Sequence, residues 1–268
     1  MSKIGNGEFW LGDCLELMKQ IPDGSVDMII TSPPYDDLRT YNGSLTDWCF
    51  EAFCSTAIEL TRCINLGGVV VWNVGDATKE SSETGSSFRQ ALFFKDVCGL
   101  KIHDTMVWKK SNFSNPSRTR YHQTFEYMFV FTKGRIKTFN PIKDRPNICA
   151  GMVGSVGENT IRQVDGSKKL RKRKINTDFG MRHNVWEMNT SGQNRENSTW
   201  HPATFPTQLA HDHIISWSNP GDTILDPFAG SGTTAIAAER TNRRWICIER
   251  EPSYYYQAVG RVWKELQA

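Results

Sequence analysis

Apolar residues along the chain follow two rhythms. Short continuous or alternating runs at 8–11, 26–30, 69–72, 102–108, 125–131, 223–225 and 245–248 predict strands. Between several of them, apolar positions three and four apart predict helices. One is expected over 14–20, stopping before Pro22. Another is capped by Asp47 and runs through Trp48, Phe50, Phe53, Ala57, Ile58 and Leu60 to Asn65, where Gly67-Gly68 breaks it. Further helices are expected over 209–217 and 233–240, with a last one ending the chain. Val69-Val70-Val71-Trp72 is β-branched and continuous, as a strand covered on both faces should be. Strands that alternate with helices predict an open, mostly parallel α/β sheet. Residues 75–87 are small and polar and read as a loop. Residues 138–200 have little period and read as an insertion, not core. The chain therefore divides into 1–137 and 201–268, two halves of one domain, and an insert at 138–200.

Composition narrows this picture. With 268 residues, 38% of them apolar, the chain can bury a proper core. Its seven cysteines show neither C-x-x-C spacing nor a matching histidine pattern, so they read as reduced thiols and no metal is expected. The start, Met1-Ser2-Lys3-Ile4-Gly5-Asn6, has no signal-peptide core, and no run is long and apolar enough for a membrane. The cytoplasm is the expected location. A net charge of only +3 hides a local excess, because Lys168, Lys169, Arg171, Lys172, Arg173 and Lys174 are interrupted by Leu170 alone. That run suits a polyanion, and equally a solvated charged loop. The segment 109–120, with Lys109, Lys110, Arg118 and Arg120, could lie across a phosphate backbone or be a plain surface hairpin.

Two loops carry the candidate chemistry, each after a predicted strand, where open α/β sheets bind ligands. Gly230-Ser231-Gly232-Thr233-Thr234-Ala235 is a G-x-G-x-x-A turn opening a helix, so backbone can approach a ligand closely there. A nicotinamide dehydrogenase would show the same turn, with Glu249 at the end of the next strand on a ribose hydroxyl. No lysine follows the glycines, which argues against a P-loop. Asp226, just before the turn, suits a cationic ligand such as the sulfonium and amino group of S-adenosylmethionine better than a pyrophosphate. The other loop is Thr31-Ser32-Pro33-Pro34-Tyr35. An exocyclic amine on a base is a poor nucleophile because its lone pair is delocalised. Two acceptors aimed at its hydrogens, the Ser32 hydroxyl and the Pro33 carbonyl, would localise that pair. The prolines fix φ, and Tyr35 offers a face for stacking a flat base.

With these motifs in this order, the chain resembles, over nearly its whole length, the DNA amino-methyltransferases of the permuted, β-type arrangement, which modify adenine N6 or cytosine N4. The resemblance implies a class I methyltransferase-like fold: a seven-stranded, mostly parallel sheet with helices on both faces, and a target-recognition insert over 138–200. It implies base-gripping roles for Ser32, Pro33, Pro34 and Tyr35. Asp226, Phe228, Gly230 and Gly232 fall at the methionine end of S-adenosylmethionine, Glu249 at the ribose and Asp13 at the adenine edge, and Thr233 belongs to the same cofactor-binding set. The segment His201-Pro202-Ala203-Thr204-Phe205-Pro206-Thr207-Gln208-Leu209 looks like the family's motif before the cofactor strand, which adds Thr207 and Gln208. Many members have Lys-Pro where this chain has Phe205-Pro206. DNA is the implied partner, with a cognate restriction endonuclease as a further one. Ser32 leans toward cytosine. An RNA or protein-amide methyltransferase, and a non-catalytic DNA-binding module, remain as alternatives.

Overall fold

A computed structural model describes residues 1–34, 48–111, 118–148, 150–151, 160–170, 177–189 and 204–267. It divides into two compact units, Met1–Asn140 with Asn184–Ala268, and Pro141–His183.

The larger unit is built on a nine-stranded sheet: β1 (Ser2–Ile4), β2 (Gly7–Leu11), β3 (Val26–Thr31), β4 (Ile64–Val74), β5 (Lys101–Lys109), β6 (Phe125–Thr132), β7 (Val185–Glu187), β8 (Thr223–Asp226) and β9 (Arg244–Glu249). Their spatial order is β1-β2-β9-β8-β3-β4-β6-β5-β7. The five strands β2, β9, β8, β3 and β4 are mutually parallel. Beyond them β6 pairs antiparallel with both β4 and β5. The seven strands expected from the sequence are all present, and β1 and β7 extend the two edges.

Among the described residues six helices cover the faces: α1 (Cys14–Met18), α2 (Phe50–Cys63), α3 (Ser86–Asp96), α4 (Thr207–Trp217), α5 (Thr233–Arg240) and α6 (Pro252–Gln267). Strand alternation divides the core in two. Phe9, Met28, Ile30, Val69, Val71, Ile224 and Trp245 point to the face covered by α4, α5 and α6. Trp10, Ile29, Val70, Trp72, Leu225 and Ile248 point to the face covered by α1, α2 and α3. Each such side chain, fully buried, contributes roughly 1.5–3 kcal/mol.

Three local readings change. The helix expected from an Asp47 cap begins at Phe50 with Cys49 in the cap position, and Asp47 itself lies outside the described residues. The same helix ends at Cys63, and the backbone passes directly into β4 through Gly67-Gly68. The polar stretch 75–87 leads into α3, which the sequence reading missed: Ala91 and Phe94 are buried, but Phe88 and Leu92 are exposed on the same helix, so no clean apolar stripe marks it.

The segment read as insert is also narrower than 138–200. Val185–Glu187 pairs with β5 and Trp186 is buried in the larger unit's core. Pro141–His183 forms its own unit, with short antiparallel pairings of Arg145–Pro146 with Phe179–Gly180 and of Thr160–Arg162 with Lys168–Leu170.

Candidate functional site

The five parallel strands deliver their carboxyl ends to one rim. Gly12-Asp13 follow β2, Ser32-Pro33-Pro34 follow β3, Pro227-Phe228 follow β8, and Glu249 closes β9. After β3 the chain crosses through α2 on one face, and after β8 through α5 on the other. The two crossovers run in opposite directions along the sheet, which leaves a crevice between β3 and β8. A cavity of about 600 Å³ lies at this rim.

Its floor is the glycine turn. Gly230 (φ +50°) and Gly232 (φ +77°) hold left-handed backbone, which glycine adopts without a Cβ penalty. The Gly230 amide donates to Glu249 Oε2 at 2.8 Å, and the Glu251 amide donates to Glu249 Oε1 at 2.8 Å. Burial pushes the Glu249 carboxyl above its ordinary range, and these amide donors oppose the rise. Arg261, from α6, braces the turn from behind by donating to the Ser231 carbonyl at 3.0 Å and to Thr233 Oγ1 at 3.2 Å.

Asp13 borders the cavity while capping α1, its Oδ1 accepting from the Leu15 amide at 2.9 Å. Beside it Cys14 also lines the cavity, and burial together with the Asp13 charge pushes its thiol up to about 12. The aromatic wall is Trp48, Phe228 and Tyr254, with Trp48 and Phe228 edge to face at 5.2 Å. Carboxylates outnumber cations around it, Asp13, Glu249 and Glu251 against Arg250. An acidic, aromatic-walled cavity with close backbone fits the cationic nucleoside S-adenosylmethionine. It is a poor host for the two phosphates of a nicotinamide dinucleotide, because like charges repel.

Of the residues singled out in the sequence, Asp13, Ser32, Pro34, Phe228, Gly230, Thr233 and Glu249 line this cavity together. Pro33, between Ser32 and Pro34, is buried and is not among the lining residues. Gly232 shapes the turn instead of lining it: a Cβ there would sit 3.2 Å from Val262 and 3.3 Å from Phe9. Thr204 and Phe205 reach the cavity where Thr207 and Gln208 were expected. Thr207 begins α4, and Gln208 is exposed, donating to Asp212 Oδ1 at 2.6 Å. Asp226 departs furthest from expectation. It does not line the cavity but is 1% exposed, accepting from Thr31 Oγ1 at 2.6 Å, Thr234 Oγ1 at 2.6 Å and the Phe228 amide at 3.1 Å. Trp48, Tyr254 and Arg261 were not anticipated. Tyr35 lies outside the described residues.

The basic candidates separate. Lys110 was expected on phosphate, yet its side chain is only 13% exposed and ion-paired with Glu126, which also accepts from Asn73 at 3.2 Å. Lys109 is exposed and paired with Glu187 at 3.0 Å. Arg120 donates to the Ser81 carbonyl and lies 3.7 Å from Glu83, and Arg118 is exposed. In the smaller unit Lys168 and Lys169 are exposed on a hairpin strand, while Arg171, Lys172, Arg173 and Lys174 lie outside the described residues. Among the described residues no group of three or more His, Cys, Asp or Glu is placed to hold a metal ion, and no helix is long and apolar enough to cross a membrane.

Known proteins resemble this chain in sequence or in fold. The chain is 46% identical over 242 residues to the orphan methyltransferase M.BamHII of Bacillus amyloliquefaciens, spanning 89% of each chain. It is 26% identical to the type II methyltransferase M.Cfr9I of Citrobacter freundii, over 97% of this chain and 89% of the other. In fold it is similar to the cytosine-N4-specific PvuII DNA methyltransferase, with a TM-score of 0.71 at 20% identity, covering 97% of this chain and 87% of that one. The model of the N6/N4 methyltransferase family, described as DNA methylase, matches residues 26–260, so both loops and the whole crevice between β3 and β8 fall inside it. The chain belongs to that family of S-adenosylmethionine-dependent DNA amino-methyltransferases.

Proposed function

We propose that the protein methylates the N4 amino group of a cytosine turned out of DNA, and that the Ser32 loop grips that base. The observation that carries this reading is the placement of Ser32 and Pro34 on the same cavity as the glycine turn and Glu249. S-adenosylmethionine supplies a methyl group activated on a sulfonium. Glu249 accepts from a ribose hydroxyl, while Asp13 and Glu251 give the cavity negative charge that suits the cation. Gly230 lets backbone approach the ligand, and Trp48, Phe228 and Tyr254 enclose it and exclude water.

On the other side of the crevice, the Ser32 hydroxyl and the Pro33 carbonyl accept from the two amino hydrogens and draw the nitrogen toward tetrahedral geometry. Tyr35 stacks on the base. In-line displacement depends on alignment more than on acid or base strength, so no catalytic histidine or cysteine is needed. Phosphate contacts come from the exposed Lys109, Arg118, Lys168 and Lys169, from Arg120, and from Arg171, Lys172, Arg173 and Lys174. Working on DNA, the enzyme acts in the cytoplasm. Digesting methylated DNA to nucleosides and weighing them tests the base: N4-methyl-2′-deoxycytidine is expected, and N6-methyl-2′-deoxyadenosine would move the assignment to adenine.

A further inference from the structure

The crevice between β3 and β8 has a weak point in its backbone. The ladder joining the two strands pairs Ile224 with Met28 and Leu225 with Ile29, and extends no further. The two loops that must meet at the reacting atoms therefore leave the sheet beyond the last backbone bond between their strands. Thr31 immediately precedes Ser32, and Asp226 immediately precedes the Pro227-Phe228 turn.

A side-chain bridge takes over where the ladder stops. Thr31 donates to Asp226 Oδ1 at 2.6 Å, and the Phe228 amide shares that oxygen at 3.1 Å. The other oxygen accepts from Thr234, in the first turn of α5, at 2.6 Å. All three side chains are buried, Thr31 and Thr234 at 0% exposure and Asp226 at 1%. Such a carboxylate is expensive to hold in a core, and burial raises its pKa to about 6. Only its donors offset that penalty, and they come from both sides of the crevice.

We propose that Asp226 is a positioning residue that fixes the spacing between the Ser32 loop and the glycine turn, acting through Thr31 and Thr234 and not through contact with the cofactor. This rests on the reading of the Ser32 loop as the base-gripping element. Alignment of donor and acceptor dominates an in-line transfer, and a misplacement near 1 Å can lower the rate about 100-fold. The bridge spans the boundary across which that alignment is set.

Thr31→Val tests it, because valine keeps the shape and removes one donor on the side away from the cofactor turn. Single-turnover methyl transfer at saturating cofactor and DNA is expected to fall about 10- to 100-fold. Cofactor affinity, by calorimetry, should stay within about twofold, and Thr31→Ser should restore most of the rate. Thr234→Val, which cuts the opposite arm, should slow the same saturated rate, and it serves if Thr31→Val does not fold. A saturated rate equal to wild type in the folded variant, or a deficit that appears only as weaker cofactor binding, would overturn the proposal. Ser32→Ala is run in parallel. If it too transfers methyl groups normally, the base-loop reading has failed; if it is impaired while Thr31→Val is not, the bridge alone has failed.

Discussion

Replacing Glu249 with alanine removes an acceptor that serves the protein and, in the proposed function, the cofactor as well. Its two oxygens each hold a backbone amide, Gly230 and Glu251, at 2.8 Å. A hydrogen bond to a charged partner contributes about 1.5–3 kcal/mol, so losing the ribose contact alone should weaken S-adenosylmethionine about 10- to 150-fold. Releasing the Gly230 amide loosens the turn under the ligand and adds to the loss. Calorimetry with S-adenosylhomocysteine or the natural cofactor measures this directly. The sign of the pH dependence follows from the same group. A hydroxyl donor favours the carboxylate, and burial has raised the pKa, so wild-type affinity should decline as acidification protonates Glu249, whereas Glu249→Ala should lack that component. An affinity within twofold of wild type at neutral pH would refute the assignment of Glu249 to the cofactor.

Three other outcomes are expected. Gly232→Ala forces a left-handed residue against Val262 and Phe9, so denaturant titration should show a loss of at least the roughly 1–2 kcal/mol that L-residues incur in that conformation, and an unchanged midpoint would contradict it. Tyr35→Ala should slow methylation of DNA by one to two orders of magnitude, the scale of a stacking loss of roughly 1–3 kcal/mol, with cofactor affinity intact; weakened cofactor binding would break that division of labour. Neutralising Lys168, Lys169, Arg171, Lys172, Arg173 and Lys174 should weaken DNA binding at all sequences and flatten log affinity against log salt by roughly 0.9 for each phosphate left without its cation. Unchanged slope and affinity would mark the run as an idle charged loop.

The central strands were legible because both faces of β3, β4 and β8 are covered, leaving continuous apolar runs with a turn signal after each. The Ser32 and glycine loops were legible for the same reason: each is tied to the end of such a strand. What escaped is contact between distant segments. Asp226 was marked for the cofactor, but its partner Thr31 lies 195 residues away, and nothing in either neighbourhood announces the bond. Lys110 looked like a surface cation because its neighbours are polar; its burial depends on Glu126 from the adjoining strand. β7 spans only three residues, too few for a period, although Trp186 in it belongs to the core. Trp48 and Tyr254 are ordinary apolar helix-edge residues until the fold places them around one cavity.

A thiol on the wall of a cavity that takes an alkylating cofactor is a chemical hazard. Thiolates are among the strongest nucleophiles in proteins, so ionisation would make Cys14 the most reactive side chain on this wall. With its pKa pushed to about 12 by burial and by Asp13, Cys14 stays a neutral thiol at every physiological pH. Burial first, and the Asp13 charge that also suits a cationic donor second, thus keep the one cysteine among the cavity-lining residues protonated.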